Sequence, residues 1–240
     1  MSCRWKPSER GGALRVLALD TSLGATSIAV VEFPSGAVLA TREERMDRGH
    51  AEALLPMVRD LMAGIEGGFA SISRIVTTVG PGSFTGLRVA LAAARSFGLA
   101  LKVPVVGVST LTAYAAPLLA AGSRTVIASA VDARHGSVFF QSFWLDGKKA
   151  VGPVLMTAEA AADSLRGGRA RIVGTGAAAV IAAAGAYGVD LELVDAAPAP
   201  DILWVARLGA AADPAYAPAR PLYLRSASAV PQAGARIARA

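Results

Sequence analysis

Two apolar runs in this chain stop at an aspartate, and each opens the same succession of elements. Leu14 to Leu19 is a buried-strand run that stops at Asp20, and Thr125 to Val131 is another that stops at Asp132. After Asp20, Thr26 to Phe33 is β-branched and apolar, Pro34-Ser35-Gly36 makes a turn, and Ala37 to Glu44 reads as the returning strand. Apolar residues then recur at helical spacing from His50 to Met62. Arg74 to Val79 is a strand, Gly80-Pro81-Gly82-Ser83 breaks it, Thr85 to Ala100 reads as a helix, and Val103 to Val108 as a strand. After Asp132 the order returns. Ser137 to Leu145 and Lys149 to Met156 are strands joined by the hairpin signal Asp146-Gly147. A helix over Thr157 to Leu165, with Thr157 as its cap, precedes a strand at Arg171 to Val173. The glycine turn Gly174-Thr175-Gly176, a helix over Ala177 to Ala186 and a strand at Leu191 to Val194 complete the second series. One further helix, Ile202 to Ala212, follows the loop Ala196-Ala197-Pro198-Ala199-Pro200.

A three-stranded antiparallel start followed by two crossovers, made twice, predicts an α/β chain of two similar lobes. Each lobe is a mixed sheet with flanking helices, the architecture of the actin–Hsp70–sugar-kinase superfamily, with a cleft between the lobes. With 240 residues there is chain for two lobes of about 100 residues each. The expected division is a first lobe at residues 14–108 and a second at 109–225. Residues 1–13 and 226–240 are basic ends expected to be disordered.

Composition sharpens this at three points. The chain is 53% hydrophobic and 18% charged, which excludes a disordered polymer. Its net charge of +6 belongs to the ends: residues 1–15 carry a net +3 and residues 220–240 a net +4, leaving a body of −1. A globular nucleic-acid reader is expected to show its basic stripe on the body, so the basic ends serve either RNA contact or plain solubility. The single cysteine, Cys3, excludes a disulfide framework and a cysteine-based zinc site. With no signal peptide at the start, a cytoplasmic location is expected. The uncharged runs Val103–Ser123 and Ile172–Val189 contain prolines, glycines and much alanine, and read as buried core rather than membrane spans.

The candidate chemistry sits at the corners. Asp20, Thr21, Ser22 and Gly24 can place hydroxyls and backbone N–H groups around a phosphate, with the aspartate near a Mg²⁺. The same residues also make an ordinary hairpin corner. The second corner, Asp132-Ala133-Arg134-His135-Gly136, puts an arginine where a kinase needs a small turn. Gly80 to Gly86 is a tight turn at a helix start, but is neither a Walker loop nor a dinucleotide fingerprint. The two histidines, His50 and His135, are not at metal-ligand spacing on one helix, and no metal or cofactor is expected. The helix Thr85–Ala100 carries only Arg88 and Arg95 as charges. Its surplus apolar side faces either a partner or the preceding helix.

Several of these stretches together resemble the TsaB (YeaZ) family. They are Leu19-Asp20-Thr21-Ser22, the run Arg48-Gly49-His50-Ala51-Glu52-Ala53-Leu54-Leu55-Pro56, the run Gly80-Pro81-Gly82-Ser83-Phe84-Thr85-Gly86-Leu87-Arg88, Asp132-Ala133-Arg134, and Pro221-Leu222-Tyr223-Leu224-Arg225. The similarity extends from Leu14 to Arg225. Thr175 departs from it, since the family often has an aspartate there, and so do the residues before Leu14.

The resemblance implies a dimerisation subunit of the bacterial complex that makes threonylcarbamoyladenosine (t6A) at position 37 of tRNA. It implies the catalytic subunit TsaD and the ATPase TsaE as partners, a homodimer when the chain is alone, and contact with tRNA only through the complex. TsaD has a similar first lobe whose corresponding strand is followed by a His-x-x-x-His metal site. In the same register this chain has Thr110 and Tyr114, so the resemblance implies a non-catalytic copy with no metal. The implied interface pairs the first two long helices with those of the partner, with His50, Leu54, Met57, Leu87, Ala90, Leu91 and Ala94 at the contact. The competing expectation is a stand-alone ATP-dependent kinase or metal-dependent peptidase of the same fold.

Overall fold

The structure is a computed structural model that describes residues 13–144 and 149–224. The basic extension, the Asp146-Gly147 turn, Arg225 and the tail from Ser226 lie outside the described residues.

Strands β1 (Leu14–Asp20), β2 (Ala25–Phe33) and β3 (Ala37–Arg45) open the chain and pair antiparallel in sequence. Helix α1 (His50–Ala63) leads to β4 (Arg74–Gly80), which lies parallel to β1 on its other side. Helix α2 (Phe84–Leu101) leads to β5 (Val105–Ser109), parallel to β4. The sheet order is β3-β2-β1-β4-β5. After α3 (Thr110–Ala120) the pattern is rebuilt by β6 (Val126–Asp132), β7 (Ser137–Phe143), β8 (Lys149–Thr157), α4 (Ala158–Asp163), β9 (Arg169–Val173), α5 (Ala177–Ala184) and β10 (Asp190–Asp195). Its order, β8-β7-β6-β9-β10, is the first sheet's order repeated position for position. Helix α6 (Ile202–Ala211) comes last. The order and its duplication are those of the actin-like architecture expected from the sequence.

Alternation along β1 sets the layers, because successive side chains of a strand point to opposite faces. Leu17 and Leu19 join Leu54, Met57, Val58 and Ala94 of α1 and α2 in one core. Val16 and Ala18 point the other way and meet Ile202, Val205, Ala206 and Ala210 of α6. The second sheet repeats this division. Ala128, Ala130, Val138 and Phe140 face α4 and α5, whereas Ile127, Val131 and Phe143 face Leu111, Tyr114 and Leu118 of α3. The third helix of each series therefore crosses to serve the other half: α6 covers the first sheet and α3 the second. Gly209 makes the α6 contact close, since a Cβ there would lie 2.3 Å from Val76 Cγ1. Arg74 then caps α6, its Nη1 donating to the carbonyls of Gly209, Ala210 and Ala212 at 2.8–3.0 Å.

Helix boundaries follow local chemistry. The Ser83, Thr157 and Asp201 side chains accept from the backbone N–H of Gly86, Ala160 and Leu203, capping α2, α4 and α6. By length and composition alone α2 is apolar enough to cross a membrane, but its buried face lies on the first sheet, and Arg88 and Arg95 stand on its other side.

Candidate functional site

The C-terminal ends of the central strands meet at the junction of the two halves, and here the corners differ. Asp20 closes the first corner by accepting the Ser22 N–H at Oδ1 (2.9 Å). Asp132 closes the second in the same way, accepting the Arg134 N–H at 2.8 Å. The first corner is sealed. Asp20, Thr21 and Ser22 have no exposed surface. The loop from β4 to α2 lies directly on them, with the Ser83 N–H donating to the Ser22 carbonyl at 2.7 Å. Thr21 Oγ1 donates to the Gly86 carbonyl (2.6 Å) and accepts from the Ala90 N–H (3.2 Å), pinning the first turn of α2. Gly82 and Gly86 are needed for this approach: a Cβ on them would lie 2.4 Å from the Ser22 oxygen and 2.0 Å from the Thr21 oxygen.

Within the seal, Asp20 Oδ1 also accepts the Thr78 hydroxyl, while Oδ2 is buried without a partner. Burial raises the Asp20 carboxyl above its ordinary value, and the Thr78 and Ser22 hydrogen bonds only partly oppose this. As arranged, Asp20, Thr21 and Ser22 do not face a ligand. Of the four residues expected to cradle a phosphate, Gly24 alone reaches the cleft, and it is tied to the loop before α6 by its N–H to the Pro198 carbonyl at 3.0 Å. The other three, expected as a phosphate cradle, lie beneath the β4–α2 loop, where Asp20 Oδ2 and Ser22 Oγ are buried without a partner.

The second corner is open. Asp132 is exposed, its N–H donating to Thr175 Oγ1 (3.1 Å) of the β9–α5 turn. Arg134, His135 and Gly136 all have left-handed backbones, with φ of 65°, 54° and 72°. Between this corner and the first lobe lies a cleft of about 1150 Å³. Its first-lobe wall is Leu23 and Gly24, the turn Asp47-Arg48 with His50, and the segment from Pro81 to Phe84 with Leu87 and Arg88. Its second-lobe wall is Asp132, Ala133, Arg134, Phe139 and Thr175, and Leu222, Tyr223 and Leu224 close one side. His50 is 7% exposed, with Nδ1 2.8 Å from Thr26 Oγ1, so it joins α1 to β2 rather than projecting outward.

The residues expected at a partner contact are packed inside the chain. Leu54, Met57, Leu87, Ala90, Leu91 and Ala94 are at most 3% exposed within the single chain. The small residues along α2 serve the chain's own sheet: Gly86 meets the Thr21 carbonyl, and a Cβ on Gly98 would lie 2.2 Å from Val105 Cγ2. The outward side of these helices instead presents Leu55 (55% exposed) and Leu99 (82%). The positions in register with a His-x-x-x-His pair are likewise spent on packing. Thr110 is buried, and Tyr114 is 5% exposed and donates its hydroxyl to the Ala197 carbonyl at 2.8 Å. Burial, then Asp20, Asp195 and Glu43, hold the Tyr114 phenol far above its ordinary value, so it remains a donor.

Sequence reasoning missed the strap at residues 217–224. The Gly107 N–H donates to the Ala217 carbonyl (2.9 Å), and the Leu222 N–H to the Val79 carbonyl (2.8 Å). Arg95 holds the Ala219 carbonyl through Nε and Nη2 (3.1 and 2.6 Å). Arg88 lies 3.7 Å over the Phe84 ring, which packs against Tyr223 at 5.6 Å. The seven-residue spacing of Arg88 and Arg95 is the signal that pointed here.

The comparisons with known proteins agree on one family. Residues 39–171 match the family model described as "TsaD: tRNA N6-adenosine threonylcarbamoyltransferase". The chain is 34% identical over 133 residues to the tRNA threonylcarbamoyladenosine biosynthesis protein TsaB of Escherichia coli, a match covering 55% of this chain and 56% of that one. It is 32% identical over 127 residues to the protein of the same name from Haemophilus influenzae, covering 53% and 52%. The chain thus spans about half the length of these curated relatives. Among solved structures, YeaZ from Pseudomonas aeruginosa superimposes with a TM-score of 0.68 at 27% identity, covering 88% of this chain and 100% of that one. With more than half of the chain inside the family model and these relatives beside it, the chain belongs to the TsaB (YeaZ) family, within the wider TsaD group.

Proposed function

We propose that this chain is a non-catalytic subunit in the formation of t6A at position 37 of tRNA, pairing with TsaD and working with the ATPase TsaE. The observation that carries the reading is the fate of the two positions in register with the metal-binding histidines of TsaD. Thr110 is fully buried and Tyr114 is used as a strut to Ala197. A neutral hydroxyl and a buried phenol are poor substitutes for two imidazoles on a transition metal. The sealed first corner supports the same reading, because the aspartate that a kinase of this fold would turn towards phosphate is buried away from the cleft, with Oδ1 held by Thr78 and Ser22.

The surface offered to TsaD is the outward side of α1 and α2 around Leu55 and Leu99. A self-complementary version of that contact serves a homodimer, so the two assemblies compete for it. The test is co-expression of the tagged chain with TsaD and TsaE of the same organism, beside nucleoside analysis of tRNA from cells depleted of the chain. Retention of TsaD and loss of t6A are expected, with retention weakened by Leu99→Arg in a variant that melts normally. The alternative, a stand-alone kinase or peptidase, would be favoured by robust ATP turnover or metal-dependent peptidase activity of the purified chain alone.

A further inference from the structure

We propose that the interlobe cleft is a docking groove for an acidic, extended segment of a partner polypeptide. It is independent of the contact proposed for TsaD, which uses Leu55 and Leu99. Arg48, Arg88 and Arg134 come from three separate segments and line the cleft. All three are exposed, and no carboxylate among the described residues lies within ion-pair distance of any of them. Arg88 rests on the Phe84 ring at 3.7 Å, which fixes where its guanidinium stands. Asp47 and Asp132 lie on the same walls, so three arginines against two aspartates leave the groove a net +1.

This mixture of charges selects the occupant. Glycine turns bind phosphate through free backbone N–H groups, and here those groups are spent. The Ser83 N–H donates to the Ser22 carbonyl at 2.7 Å, the Gly86 N–H to Ser83 Oγ at 3.3 Å and the Gly176 N–H to the Ala130 carbonyl at 2.9 Å. The anion sites that remain are arginine forks, which pair with carboxylates. A polyphosphate or RNA strand laid along the cleft would also meet Asp47 and Asp132, whose charge repels it. A polypeptide uses both signs: its acidic side chains meet the arginines, and its backbone N–H groups donate to the aspartates. An extended chain has those N–H groups free, whereas a helix has spent them on its own carbonyls. Between the charges, half-buried Leu23, Phe139 and Leu222 offer apolar walls to alternate side chains of such a strand. The cleft volume of about 1150 Å³ exceeds the roughly 300–1,000 Å³ of a small-molecule pocket and leaves room for several residues.

The probe is a fluorescent synthetic peptide alternating glutamate with leucine, titrated with the full chain and read by anisotropy. Binding at about 10–100 µM that weakens with salt is expected. The same peptide with glutamine for glutamate should not bind. Arg48→Glu and Arg134→Asn should each weaken binding about fivefold, asparagine being tolerant of the left-handed backbone at 134. Phe139→Ala should also weaken it about fivefold, through lost apolar wall. The double reversal Arg48→Glu with Arg88→Glu should lose the acidic peptide and take up the same peptide with lysine for glutamate, a swap that damage to the fold cannot produce. Melting curves of each variant separate loss of binding from loss of fold. No binding of the acidic peptide, equal binding of the glutamine peptide, affinities untouched by the arginine changes, or preferential binding of a single-stranded RNA or of ATP in the cleft would each overturn the proposal. If the tagged chain retains TsaD while the peptide titration fails, this inference falls and the subunit reading stands.

Discussion

The two corners of this molecule are made by one backbone device and put to opposite uses. Each has an aspartate at a strand end accepting the N–H two residues on, beside a glycine-rich turn from the neighbouring parallel strand. At Asp20 that turn comes down onto the corner and Gly82 and Gly86 let it touch backbone. At Asp132 the turn also touches backbone, the Gly176 N–H donating to the Ala130 carbonyl at 2.9 Å, but beyond that it adds only Thr175 Oγ1 and leaves Asp132 open to the cleft. The difference teaches that the aspartate does not decide whether such a corner binds anything. The decision lies with a segment about 60 residues away for the first corner and 40 for the second, through how far that segment reaches over the aspartate.

The strongest way to break this comparison is to pry the sealed corner open. Gly86→Ala places a Cβ 2.0 Å from a backbone oxygen that cannot give way. It should destabilise the chain by about 3 kcal/mol in urea titrations. Gly136→Ala at the open corner meets nothing within 4 Å and should cost about 1 kcal/mol, for its left-handed backbone alone. Equal losses would mean that the seal is not what distinguishes the corners.

Removing one hydroxyl from each corner gives the next contrast. Thr78→Val takes one of two donors from the buried Asp20 Oδ1 and should cost about 2 kcal/mol, whereas Thr175→Val on the exposed corner should cost under about 1 kcal/mol.

The Asp20 carboxyl adds a test by pH. Burial raises the folded value for Asp20 above 3.8, so the folded chain holds this proton longer than the unfolded chain. The associated stability is complete below the unfolded value and is lost as pH rises through the folded one. Asp20→Asn removes the ionisation while keeping an acceptor for Ser22. Its melting temperature relative to the parent should therefore improve from pH 4 to pH 7.5, by about 2–4 °C for each kcal/mol. The smallest effect concerns strain: Arg134→Gly, at φ 65°, should stabilise by about 0.5 kcal/mol in the same titrations.

These contrasts also show what could be read beforehand. The element order was legible because each apolar run is punctuated by a residue with a local reason to stop it: Asp20, Gly80, Asp132 and Gly174. The cap at Thr157 was legible for the same reason. The corner aspartates were found, but the burial of Asp20 was not, since the loop that covers it is distant in sequence. The internal packing of α2 was not legible, because a stripe of glycine and alanine looks the same whether it meets a partner's backbone or the chain's own. Arg88 and Arg95 seven residues apart revealed a side of the helix, though not the strap they hold.

The crossing of the third helices bears on how the polypeptide comes to exist at all. During synthesis the first sheet is complete once Ser109 has been made, yet the face carrying Val16, Ala18, Ala29 and Val31 has no cover until Ile202–Ala211 emerges. The amino-terminal half must therefore wait, apolar face bare, while the whole second sheet is translated. A nascent chain stalled in that interval is the form most exposed to aggregation and to chaperone capture. Cutting the chain in the loop after α3 would not release two working halves, because each would leave with the other's helix missing or misplaced.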